Sequence, residues 1–181
     1  ANRTVTVTPV ANLSGTSTIT VTVTDGNSGT ASEPFTLTVN AVNDQPSFMK
    51  GADQTVAEDA GGQSVTAWAT AISAGPANES SQTLTFAVTS DNAALFSAAP
   101  AISASGTLTY TPAANTNGSA TVTVTLSDNG GGTSTSAPQP FAITVMPVND
   151  PPTSANDSYS VNEDTVLNVA ARGVLANDMD I

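Results

Sequence analysis

The chain has no cysteine and no histidine, and only three of its 181 residues are lysine or arginine, against fifteen aspartate and glutamate. Each absence removes a class of chemistry. Without cysteine there is no disulfide framework, no thiolate nucleophile and no zinc site of the thiolate type; without histidine there is no Ser-His-Asp triad and no imidazole metal ligand. A net charge of −12 leaves no basic surface to neutralise phosphates, which argues against nucleic acid and against an anionic membrane face as partners. No apolar run approaches the ~20 residues needed to span a bilayer, so no membrane insertion is expected in this segment. No signal peptide is visible, so a secretion signal would lie outside the segment. Aromatic residues make up 4% of the chain, too few to suggest a row of sugar-stacking platforms. Paired carboxylates are the one conventional catalytic device left. An extracellular module with no disulfides needs another staple, and a bound cation is one candidate.

What is present in abundance is repetition. TPVANLSGTSTITVTVTDGNSGT, from Thr8, returns as TPAANTNGSATVTVTLSDNGGGT, from Thr111, at a constant offset of 103 that aligns Pro9, Asn12, Gly15 and Asp25 with Pro112, Asn115, Gly118 and Asp128. After a three-residue insertion, FTLTVNAVNDQP from Phe35 faces FAITVMPVNDPP from Phe141 at offset 106. The Glu58-Asp59 pair then matches Glu163-Asp164 at offset 105. The expected division is the C-terminal half of one repeat at 1–44, a complete repeat at 45–151, and the first part of another at 152–181. On this reading the chain is cut from something longer.

The local periodicity is two. Ala120, Val122, Val124 and Leu126 alternate with threonines, as do Ile19, Val21 and Val23, and Phe35-Leu37-Val39 parallels Phe141-Ile143-Val145. Such alternation predicts half-buried strands, with β-branched threonine on the solvent face and valine inward. In the complete repeat it predicts seven strands, near 53–57, 63–70, 82–89, 93–98, 106–111, 119–127 and 139–147. The fold class expected is all-β, a tandem immunoglobulin-like Greek-key sandwich. With strands alternating in direction, Glu58-Asp59, Asp91-Asn92, Asn115 and Asn149-Asp150 collect at one end of the repeat. The 71–81 loop, with Glu79, and the Asp128 loop collect at the other. Two carboxylates about 4 Å apart repel by roughly 1–4 kcal/mol, and three basic residues cannot relieve this everywhere. Oxygen ligands from several loops suit a hard divalent cation, and calcium better than magnesium.

V-N-D-x-P at 42–46 and 148–152, the repeated E-D pair, V-T-x-x-D ending at Asp128, and VLANDMD at 174–180 resemble the cadherin-like repeats of giant bacterial surface and secreted proteins, including repeats-in-toxin adhesins and related biofilm proteins. The resemblance implies calcium between successive modules. By it, the junction after the complete repeat would use Glu58, Asp59, Asn149, Asp150, Asp178 and Asp180, and the preceding junction Asn43, Asp44 and Asp128. Asn115 stands where a further acid is expected, Ala41 and Pro147 replace the first linker aspartate, and the 70–79 loop offers Asn78-Glu79 in place of Asp-x-Asp.

Plainer readings stand beside these. Asn-Asp before proline is an ordinary turn and linker sequence, and Asp25-Gly26 and Asp128-Asn129 are common loop starters. Trp68 reads as core or, less readily, as a sugar platform. The function expected is a non-enzymatic extracellular spacer of a long adhesin-like protein, secreted or at the cell surface. Neighbouring repeats are its partners and calcium is its stiffening ion. Alternatives are a carbohydrate- or protein-binding module, or a subunit assembled head-to-tail by strand exchange.

Overall fold

The structure, a computed structural model, describes residues 3–170 and 172–179. Two long strands come first, β1 (Gly15–Thr24) and β2 (Thr30–Val39), paired antiparallel from Gly15↔Val39 to Thr24↔Thr30. They form a sheet of their own. Nine more strands follow: β3 (Ser47–Met49), β4 (Gln54–Ala57), β5 (Gln63–Val65), β6 (Thr70–Ser73), β7 (Thr85–Ser90), β8 (Phe96–Ile102), β9 (Leu108–Pro112), β10 (Gly118–Ser127) and β11 (Gln139–Met146).

One sheet has the order β4-β11-β10-β7; the other layer is made of β5-β9-β8 and the β3-β6 pair. Inward-pointing residues of both layers form one core. Val122, Val124, Leu126, Ile143 and Leu108 are fully buried within it, with Phe48, Trp68, Leu95, Tyr110 and Phe141 packed around them. The Trp68 and Phe141 rings lie 4.3 Å apart and the Phe48 and Phe86 rings meet edge-on at 5.2 Å. This is an all-β immunoglobulin-like sandwich.

The alternating segments at 119–127 and 139–147 become β10 and β11, because valine and phenylalanine on one face and threonine on the other satisfy a sheet with one dry side. Elsewhere the expected strands need correction. The first expected strand, 53–57, is β4, parallel to β11, but an unexpected strand precedes it: β3 pairs with β6, and after Lys50–Asp53 the chain crosses to the other layer. The crossing is fastened by Trp68 Nε1, which donates to the Ala52 carbonyl at 2.9 Å, and by Asp53 Oδ1, which accepts from the Ala142 amide at 2.9 Å. The second strand, expected over 63–70, is two. Ala67 and Ala71 adopt φ of 54° and 49°, which breaks the alternation and turns both Trp68 and the adjacent Ala69 inward. Period-two patterning cannot bury two consecutive residues, so the large indole decides the local backbone against propensity. Residues 93–95 form a 3₁₀ turn and the strand begins at Phe96.

The repeat extends to backbone detail. Gly15↔Val39 and Gly118↔Val145 are the same pairing at offsets 103 and 106. Asn12 and Asn115 both take positive φ, 59° and 52°, a conformation asparagine tolerates in turns. In the C-terminal segment an isolated bridge, Thr153↔Met179, repeats Ser47↔Ser73 at offset 106.

Candidate functional site at the linkers

Three pieces of chain meet at the upstream end of the sandwich: the V-N-D-x-P linker, the loop between β6 and β7, and the loop between β10 and β11. Glu79, at the end of a 3₁₀ turn over Ala77–Glu79, is 5% exposed, and its Oε1 accepts the Asp44 amide at 2.9 Å. Its other oxygen, Oε2, is buried without a hydrogen-bond partner. It packs against Gly75 (φ +151°), where a side chain would collide with it. Gln82 Nε2 donates to Asn43 Oδ1 at 2.8 Å, and Gln82 Oε1 is likewise buried and unpartnered. Asn43 Nδ2 donates to both Asp128 carboxylate oxygens, at 3.3 and 3.4 Å, to the Thr133 carbonyl at 3.1 Å and to the Asp44 carbonyl at 3.0 Å. Asp128 Oδ1 also caps its own loop through the Gly130 amide, and Asn129 Oδ1 accepts from Thr83 N. Gly130 has no side chain because the Asn43 amide occupies that space. The result is a cleft of about 160 Å³ lined by Val42, Asn43, Asn78, Glu79, Gln82 and Gly130, among others.

At the downstream end, Glu58 is also 5% exposed; its amide extends the β4–β11 ladder by donating to the Met146 carbonyl at 3.0 Å. Its Oε1 accepts the Val148 amide at 2.7 Å. Asp59 is exposed beside it in a turn. Asn149 Nδ2 donates to the Asp150 carbonyl at 3.1 Å, the same bond that Asn43 makes to Asp44. Asp178 Oδ1 accepts from Ala155 N at 2.9 Å, within the C-terminal segment. Asp180 lies outside the described residues.

The structure therefore brings Asn43, Asp44 and Asp128 together, and sets Glu58 against the linker of Asn149 and Asp150. Asp178 makes its hydrogen bond to Ala155, not to Glu58 or Asp150. Among the described residues, no three acidic side chains converge closely enough to hold a metal alone. Sequence reasoning left Glu79 without a ligand role and passed over Gln82. The available signal was that Glu79 is the sole acid between Asp59 and Asp91. Asn115 sits in a left-handed turn, which accounts for asparagine there without a ligand role. Trp68 is 3% exposed and spends its N–H on Ala52, so it offers no face to a sugar.

A family model described as bacterial Ig domain matches residues 1–39 and 43–138, well over half of the chain. The chain belongs to the bacterial Ig domain family. Bacterial Ig domains are typically non-catalytic and usually extracellular or on the cell surface. No helix among the described residues is long and apolar enough to cross a membrane. No curated protein matches the chain. The second matched segment starts in the linker at Asn43, the residue that ties the linker to the sandwich.

Proposed function

We propose that this chain is a stretch of an extracellular spacer built from tandem bacterial Ig modules of the cadherin-like, adhesin type, with calcium rigidifying the linkers. Its units are the C-terminal half of one module at 1–44, a complete module at 45–151 and the start of another at 152–181.

The observation that carries the reading is how the linkers are held. In one, the Val148 amide is gripped by a buried glutamate of the module before it, Glu58. In the other, the Asp44 amide is gripped by a buried glutamate of the module after it, Glu79. Val148 and Asp150 are equivalent to Val42 and Asp44 at offset 106. A full linker would thus have amides two residues apart held by carboxylates from both neighbours. Along an extended chain, amides two apart point to the same side, about 7 Å from one another. A complete junction then gathers two buried carboxylates, the downstream Asp128-type carboxylate and amide oxygens around one linker. Oxygens of this kind are what calcium takes, six to eight at a time. The unpartnered Glu79 Oε2 and Gln82 Oε1 are the atoms free to ligate, and each is expensive to leave bare, by about 1–3 kcal/mol or more. Glu79, Gln82, Asp44 and Asp128 would hold the ion at the upstream linker, and Glu58, Asp59, Asn149, Asp150, Asp178 and Asp180 would contribute at the downstream one.

Calcium titration with thermal unfolding tests this. Extracellular modules bind calcium at roughly 10⁻⁴–10⁻³ M. A concentration ten times Kd stabilises the native state by about 1.4 kcal/mol, a rise of about 5 °C or more in Tm for a module of this size. Glu79→Gln keeps an acceptor for the Asp44 amide and should remove most of the rise. An unchanged Tm in about 10 mM calcium would end the calcium claim.

A further inference from the structure

The upstream linker meets the sandwich through two side-chain amides in register with two carbonyls. Asn43 Nδ2 donates to the Thr133 carbonyl at 3.1 Å and Gln45 Nε2 to the Thr135 carbonyl at 2.7 Å. Donors two apart in the linker thus face acceptors two apart in the loop, the spacing at which side chains of an extended segment share one side. The carbonyl between those acceptors, that of Ser134, turns to β10 and accepts from Asp128 N. Between the two linker amides the Asp44 N–H goes to Glu79, and Pro46, which follows Gln45, is fully buried. The Asn43 nitrogen has two protons but four oxygens within 3.4 Å: the Asp44 and Thr133 carbonyls and both carboxylate oxygens of Asp128. Such a cage suits a cation, and the amide fills it without a charge. Gln82 Nε2 in turn donates to Asn43 Oδ1 at 2.8 Å. The pocket therefore engages both ends of a carboxamide. An aspartate would set oxygen against Asp128, and a lysine would leave Gln82 nothing to donate to.

We propose that the β10–β11 loop is a binding site for paired carboxamides, and that Asn43 and Gln45 latch the linker to its module with no ion. Asn43 is then a hydrogen-bond donor of the latch and not a calcium ligand, a departure from what the resemblance implies. The loop owes its spare carbonyls to its length. The counterpart turn at Asp25–Gly29 lacks the three-residue insertion; its Gly29 carbonyl accepts Asp25 N, and Asp25 Oδ1 is spent on the Asn27 and Gly29 amides. The downstream linker differs as well. Asn149 matches Asn43, but Pro151 stands at the place of Gln45 and has no side-chain donor. A linker of that sequence carries half of the latch, and more of its order falls to calcium. That contrast rests on the calcium reading; the latch itself does not, and EDTA separates the two.

The experiment is ¹⁵N relaxation of the full chain in EDTA, which reports backbone order at single amides. The expected result is an order parameter of about 0.85 at Asn43, Asp44 and Gln45 with no calcium present, equal to that of β10. The double variant Asn43→Asp/Gln45→Glu keeps both shapes and removes both donors, and should bring these amides below about 0.6. Unchanged signals from β10 and β11 check that the sandwich is still folded. Gln45→Glu alone, at an exposed position, should loosen residue 45 and keeps the test open if the double variant unfolds. Native amides below about 0.6 in EDTA that order only when calcium is added would overturn the latch and assign the order of the linker to the ion. Order that neither variant changes would overturn it as well. Order in EDTA that the variants lose, with a Tm that calcium leaves unchanged, would uphold the latch and sink only the calcium reading.

Discussion

Leu126 and Val23 occupy one position of the repeat and differ in everything that position does. Leu126 is fully buried between the two layers, and Val23 is 65% exposed on a hairpin that no second layer covers among the described residues. Leu126→Ala should cost about 2–5 kcal/mol in a denaturant titration, from lost transfer energy and the cavity left behind. Val23→Ala should stay within about 0.5 kcal/mol. Equal losses at both would mean that the hairpin face is covered. Gly106 gives a second test at this scale. It takes φ +83°, accepts the Ala69 amide at 2.9 Å, and sits so close to the Ala69 carbonyl that a methyl group has no room. Gly106→Ala combines backbone strain with collision, and a loss of about 2 kcal/mol or more is expected by thermal or chemical unfolding. Tyr110 needs less: its ring packs edge-on to Phe96 and burial pushes its phenol above the usual range, so it stays neutral and part of the core.

Among the elements, β10 and β11 were legible from composition because alternation is a local property of the chain. Pro140, the counterpart of Pro34, fits the same logic: it lies outside Ile143–Met146, the stretch of β11 that pairs with β4, so its missing N–H costs no bond there. Strand β3 and the crossing from it to β4 were not legible. The crossing depends on Trp68 and Asp53 tying it to residues sixteen and eighty-nine positions away. The split of the second expected strand, at Ala67, depends on the same indole. Residues 4–9 repeat the sequence pattern of β9 at offset 103 yet form no strand, and among the described residues no counterparts of the strands that flank β9 lie beside them. An isolated two-stranded sheet is marginal in water. At low protein concentration, amides of β1 and β2 should therefore exchange orders of magnitude faster than those of β10 and β11, despite near-identical sequence and register. Equal protection would place the hairpin within a covered structure.

Across the whole molecule, stability should reside in one cooperative unit. The apolar core is confined to the sandwich from β3 to β11, while Val5, Val10, Leu13, Val166 and Leu167 outside it are exposed. Urea unfolding is thus expected to give an m value suited to about 100 residues and not to 181, since m follows the surface exposed. An m value near that of a chain of full length would mean that the flanks fold with the core. Calcium, bound at the linkers as proposed, would act on a different quantity, the angle between neighbouring modules. Binding there would narrow the distribution of shapes seen by small-angle scattering at millimolar calcium, and EDTA would broaden it again.

The sequence by itself determined the strand periodicity, the 103- and 106-residue repeat, and the exclusion of cysteine and histidine chemistry. These follow from the order of side chains along the chain, which alternation and repetition expose directly. The tertiary structure decided, among the described residues, that the β10–β11 hairpin is covered on one face and the β1–β2 hairpin is not. It also decided that Trp68 belongs to the core and that Glu79 and Gln82 complete the linker site. Burial and hydrogen bonding depend on what lies across the gap, and residues 35 to 90 positions apart in sequence carry no local mark of having met.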